Sequence, residues 1–156
     1  MSSRRNRFAP VALLLATLIM LVGWLSERTG GDPLPVDSYA ADAVAFTARY
    51  DAMVAEHGRE DGAVVRPPPG DVYMRVKRWD FSPALELEPG RTYRLHLLSE
   101  DVVHSAAIGE AEVLLEPGTV KVVTLVAPKA GRVRIQCGEY CGLGHTKMIG
   151  SIEVVR

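Results

Sequence analysis

The second half of this chain predicts an all-β domain, a small antiparallel sandwich or Greek-key barrel, and three observations carry that expectation. From Asp71 onward the sequence breaks into short runs, YMRV, TYRLHL, EVLL, TVKVVTLV, RVRIQ and GSIEVV, in which apolar and polar residues tend to alternate. Alternation of that kind gives a strand one buried face. Turn signals at Pro89-Gly90, Pro117-Gly118 and Ala130-Gly131 separate the runs. No helical pattern comes between them, and several short strands at this spacing argue for a sandwich or barrel. The hydrophobic fraction of 47% and the charged fraction of 24% are those of a globular protein rather than a disordered one. A net charge of −1 gives no electrostatic case for nucleic acid as a partner.

The preceding residues divide into three. Residues 1–8 are basic through Arg4, Arg5 and Arg7. Residues 9–25, APVALLLATLIMLVGWL, carry no charge and reach the lower end of what spans a bilayer as a helix. Trp24 lies at the far end, where interfacial aromatics sit, and the positive-inside rule keeps the N-terminus cytoplasmic and exports the rest. This predicts a single-pass anchor in the cell membrane with the C-terminal domain on the periplasmic side. A cleaved signal peptide has the same basic start. Ser38-Tyr39-Ala40 resembles a cleavage site but lies well beyond the apolar run, so a retained anchor is the favoured reading. Residues 26–70 read as a linker. Within them Asp37 or Ser38 would cap a short membrane-proximal helix to about His57, with Val44, Tyr50 and Val54 apolar and Gly58 ending it. GREDGAVVRPPPG then sets a boundary, and residues 71–156 form the domain.

The chemistry is concentrated in Cys137-Gly-Glu-Tyr-Cys141-Gly-Leu-Gly-His145-Thr-Lys-Met148. Two cysteines this close constrain an unfolded chain little as a disulfide, and read as metal ligands or a redox pair. Two thiolates, an imidazole and a thioether are soft and borderline donors that suit copper. Gly138, Gly142 and Gly144 let the loop turn tightly enough to aim them at one point. Zinc would leave Met148 without a role. A mononuclear copper site needs one thiolate, so two copper ions bridged by both thiolates use every ligand. Two ions need a second imidazole. His57 falls in the short helix and His96 in mid-strand, whereas His104 stands at a strand end from which it can reach the cysteine loop.

SEDVVHS followed by CGEYCGLGHTKM resembles subunit II of heme-copper cytochrome c oxidases, and the family pattern C-x-E-x-C-G-x-x-H-x-x-M is matched in full. The resemblance covers roughly Asp71 to Arg156. It implies a cupredoxin domain with a dinuclear CuA centre, in which Cys137 and Cys141 bridge two copper ions and His104 and His145 each bind one. Met148 and the backbone carbonyl of Glu139 would be the axial ligands. It further implies a heme-bearing subunit I as partner and cytochrome c as donor, with Trp79 and Phe81 in RWDFSP as the residues through which electrons arrive. Either aromatic also reads as sandwich core, and Tyr140 as packing or support for the site. The chain departs from the pattern in having one apparent span where many relatives have two, in a shortened segment between His104 and Pro117, and in Ser105 where glycine is frequent. Thiols that mature where oxidants favour a disulfide imply a copper chaperone and a thiol reductant. Two rivals stand beside this reading: the CuA subunit of a nitric oxide reductase or an accessory subunit, and a Sco-type copper chaperone. The latter would show a βαβ pattern and a proline where Gly142 stands.

Overall fold

The computed structural model describes residues 5–28, 34–59, 63–109 and 111–155. It divides into two compact units, Met1–Asp32 and Pro33–Arg156. The first holds α1 (Arg5–Arg28), a helix over the expected apolar run. Its described side chains run from Pro10 to Ser26 and are exposed. Among the described residues no helix is long and apolar enough to cross a membrane. Arg4, most of the Gly30–Pro35 stretch and residues 60–62 of the expected linker lie outside the described residues.

The second unit has β1 (Val36–Ala40), α2 (Ala43–His57), β2 (Val64–Val65), β3 (Gly70–Lys77), β4 (Asp80–Ser82) and β5 (Ala84–Leu87). There follow β6 (Thr92–Ser99), β7 (His104–Ile108), β8 (Ala111–Leu115), β9 (Thr119–Val126), β10 (Gly131–Gln136) and β11 (Ile149–Val154). One sheet runs β1-β9-β6-β3-β4 and the other β2-β5-β11-β10-β7-β8. The alternation in the sequence is the alternation of burial. In β9, Val120, Val122, Val123 and Leu125 are buried, while in β6 Tyr93, Leu95 and Leu97 fill the space between the sheets.

Three expectations change. The sheets are mixed rather than antiparallel, because β3 pairs parallel with β6 and β5 pairs parallel with both β11 and β2. Residues 36–40 form a strand along β9, from Val36 opposite Val123 to Ala40 opposite Thr119. The helix therefore starts later, and its cap is Asp42, whose carboxylate accepts the Ala45 N–H at 3.0 Å. Finally, the segment before Asp71 is no separate linker. Phe46 and Met53 of α2 enter the core, Phe46 edge-on to Tyr73 of β3, and Tyr50 meets Ser82 through their hydroxyls at 2.9 Å. β1 and α2 thus belong to the same compact unit as the sheets.

That integration predicts the cost of emptying the Phe46 site. Phe46→Ala should destabilise the β-domain by about 3–5 kcal/mol, read as a lower denaturation midpoint of the full chain. An unchanged midpoint would mean that α2 folds apart from the sheets.

Candidate metal centre

The loop that carries the cysteines joins two strands that are already paired. β10 and β11 run antiparallel to Gln136 opposite Ile149, and the Cys137 N–H continues the ladder to the Met148 carbonyl at 3.2 Å. The two ends of the loop are therefore fixed side by side, and Cys137 and Met148 meet across its neck. Inside it the chain turns at Gly142, where φ is +121°, a conformation that favours glycine. A single helical turn over His145–Lys147 then returns the chain to the neck.

β7 supplies the remaining imidazole. It pairs with β10 at Ile108 opposite Ile135 and Ala107 opposite Gln136. Continued antiparallel past Gln136, that register lays Ser105 beside Gly138 and His104 beside the cysteine loop.

The donors converge. Cys137 Sγ and Cys141 Sγ lie 3.8 Å apart, well beyond a disulfide bond of about 2.05 Å. His104 Nδ1 is 3.8 Å from Cys137 Sγ, and the Glu139 carbonyl oxygen is 3.1 Å from the same sulfur. His145 Nδ1 is 3.7 Å and Met148 Sδ 3.6 Å from Cys141 Sγ. His104, Cys137, Cys141 and Met148 are buried, and His145 is half-buried. Metal bonds of about 2.3 Å to thiolate and about 2.0 Å to imidazole put two donors on one ion roughly 3.5–3.8 Å apart. The spacings found are of that size, so the residues fit a bound metal, and the buried thioether makes the set softer than zinc requires.

Charge around the donors is arranged to match. Burial would raise the Asp101 carboxyl, but hydrogen bonds outweigh it and hold the group well below the usual carboxylate range. They come from the Arg78 backbone and guanidinium, from His104 and from the Val102 backbone. The resulting carboxylate meets His104 Nε2 at 2.9 Å. A proton kept on Nε2 leaves the Nδ1 lone pair facing Cys137, the outer support common to metal-binding histidines. Burial, together with the hydrogen bond and charge of Cys137, pushes the Cys141 thiol up. Metal-free Cys141 therefore keeps its proton at neutral pH, and binding a metal must displace it.

Trp79 occupies the turn between β3 and β4, with its indole over Gly142 and Gly144 and 44% of its surface exposed. Phe81 is buried beside Gly150, with 3% of its surface exposed. Tyr140 is exposed and tilted beside His145 at 5.8 Å between ring centroids. His96 belongs to a different cluster, between Asp71 at 3.1 Å and the Tyr39 hydroxyl at 3.0 Å, with its ring stacked on Tyr73. Asp101, Arg78 and Glu112 carry no assigned role in the sequence, and Ser105 stands out there only as a departure from the family pattern. The acidic pair Glu100-Asp101 just before His104 was the one available signal, while Arg78 and Glu112 reach the site only through the fold.

Two facing β-sheets with a Cys-His-Met loop between neighbouring strands define a cupredoxin-like domain. Solved structures share that fold. One is a heme-copper terminal oxidase dimer, matched at TM-score 0.54 and 22% identity over 97% of this chain and 99% of the other. Another is the periplasmic domain of subunit II of cytochrome oxidase of Bradyrhizobium japonicum, at TM-score 0.51 and 19% identity over 55% and 83%. Residues 82–155 match the family described as cytochrome C oxidase subunit II, periplasmic domain. Cytochrome c oxidase subunit 2 of Thermus thermophilus is 33% identical over 97 residues, which cover 59% of this chain and 72% of that one. A probable cytochrome c oxidase subunit 2 of Streptomyces coelicolor is 32% identical over 77 residues, only 24% of its length. The chain belongs to the cytochrome c oxidase subunit 2 family, whose members are subunits of heme-copper oxidases.

The glycines under Trp79 allow a direct check. A Cβ on Gly144 would come within 2.3 Å of indole Cδ2, and a rigid ring cannot give way locally. Gly144→Ala should displace the indole and shift tryptophan fluorescence of the full chain, with weakened metal retention. A fluorescence spectrum and metal content identical to wild type would show that the ring does not rest on the loop.

Proposed function

We propose that the chain is the electron-accepting subunit of a respiratory heme-copper oxidase, taking electrons from a cytochrome c and passing them to heme in the partner subunit. The observation that carries this is the convergence of two imidazoles, a thioether and a backbone carbonyl on two thiol sulfurs 3.8 Å apart. Two copper ions bound by His104, Cys137, Glu139, Cys141, His145 and Met148 would supply a one-electron carrier. The protein's part is to hold the donors still, since a site whose bond lengths barely change transfers electrons readily. The ladder at the neck, the Asp101 carboxylate on His104 and the burial of both sulfurs all serve that end.

Trp79 is the residue proposed to receive electrons, because it joins solvent to the loop, whereas buried Phe81 supports the turn from behind. α1 is proposed as the single-pass anchor. Residues 9–25 are uncharged, Leu14, Ile19 and Met20 stand exposed, and the hydroxyls of Thr17 and Ser26 donate to carbonyls of their own helix. Such internal bonding is what an apolar surrounding demands. The domain then lies on the periplasmic side, where the cysteines would be kept reduced for a copper chaperone.

Full-length protein, reduced and loaded with copper, should bind two coppers per chain. Its electron paramagnetic resonance should show one electron shared between two equivalent nuclei. One copper with a mononuclear spectrum, or zinc alone, would overturn the dinuclear reading. Trp79→Leu should leave those spectra intact and slow reduction by cytochrome c severalfold. A wild-type rate would remove Trp79 from the electron path. Cells lacking copper chaperone and thiol reductant should yield copper-poor chain with Cys137 and Cys141 oxidised, assayed by metal content and thiol titration.

A further inference from the structure

We propose that Ser105 and Glu112 are a positioning pair for the metal loop, holding the Gly138 amide and through it the Glu139 carbonyl. The proposal rests on the copper reading above and deepens it. β7 and β8 pair with Ala107 opposite Glu112, so Ser105 and Glu112 are diagonal neighbours on one face of the sheet. The Ser105 hydroxyl donates to Glu112 Oε1 at 2.6 Å and accepts the Gly138 N–H at 2.8 Å. A hydroxyl has one proton. The Gly138 N–H can only donate, so the hydroxyl must meet it with a lone pair, and the Glu112 carboxylate fixes the rotor by taking the proton on the other side.

The packing is as tight as the bonding. Ser105 is 2% exposed. A Cβ on Gly138 would fall 2.1 Å from Glu112 Oε1 and 3.0 Å from Ser105 Oγ. Any side chain at 138 therefore swings Glu112 off Ser105. One residue on, the Glu139 carbonyl lies 3.1 Å from Cys137 Sγ. The segment bearing that carbonyl is held at its Gly138 end by Ser105. Glu112 itself sits on an exposed edge-strand position and touches no donor atom. Its influence on the centre runs through Ser105.

The test uses the full-length chain loaded with copper, compared across Ser105→Ala, Glu112→Ala, Glu112→Gln and the double alanine variant. Wild type must first give the dinuclear copper signal; its absence would sink the copper reading itself. Ser105→Ala and Glu112→Ala should then shift the visible charge-transfer bands and the midpoint potential in one direction, and release copper to a chelator about 10-fold faster. The double variant should go no further than Ser105→Ala alone. Glu112→Gln keeps an oxygen acceptor for the hydroxyl and should resemble wild type. Alanine variants with wild-type bands, potential and release rate would overturn the proposal. So would additive effects in the double variant, or Glu112→Gln behaving as Glu112→Ala. Should Ser105→Ala fail to fold, the two Glu112 variants decide the matter, since their side chain is exposed.

Discussion

The antiparallel pairing of β10 with β11 is the constraint on which the site depends. Because the ladder persists to the Cys137–Met148 contact, the twelve residues of the loop must close on themselves. A free loop with the same residues would have to lose that conformational freedom on binding a metal, at roughly 1–2 kcal/mol per residue fixed. Here the sheet has already met much of that cost. β7 adds the second restraint. Its pairing with β10 delivers His104 from 33 positions away to the same sulfur that the loop places locally.

A single carboxylate joins the two elements that the loop does not contain. Asp101 accepts from the Arg78 backbone and side chain with one oxygen and from Val102 and His104 with the other. Arg78 precedes Trp79 in the β3–β4 turn. The turn that carries the exposed indole and the buried imidazole are thus both tied to one acid. A second ion pair, Arg75 with Glu100, ties β3 to the loop before β7 one step earlier along the chain. Such paired, partly buried charges hold register more than they add stability.

What the sequence made legible follows from where the information is stored. The donors of the loop lie within twelve residues, so their chemistry can be read without a fold, and β9 and β10 declare themselves by alternation. β1 does not. All five of its residues are exposed, so it pairs through its backbone, and no apolar pattern marks it. β7, HSAAI, is short and rich in small residues that carry little strand signal. The parallel pairings join strands distant in sequence and leave no local trace. Helix α2 was visible through its alanines, but its start was misplaced because Asp37, Ser38 and Asp42 are all fair caps and only the strand along β9 decides among them. Likewise His104 was found as a strand-end histidine, while the residues that orient it and the loop required the tertiary structure.

The order of strands carries one further consequence. The three eight-residue strands, β3, β6 and β9, are all interior to their sheet, and the margins of the two sheets are β1, β4, β2 and β8, with five, three, two and five residues. Unpaired backbone at a margin is a template on which other chains can polymerise. By leaving only short margins, the domain gives stray strands little to add to. On the function proposed above, a chain exported before it meets copper and its partner subunit would offer little edge for self-association in the meantime.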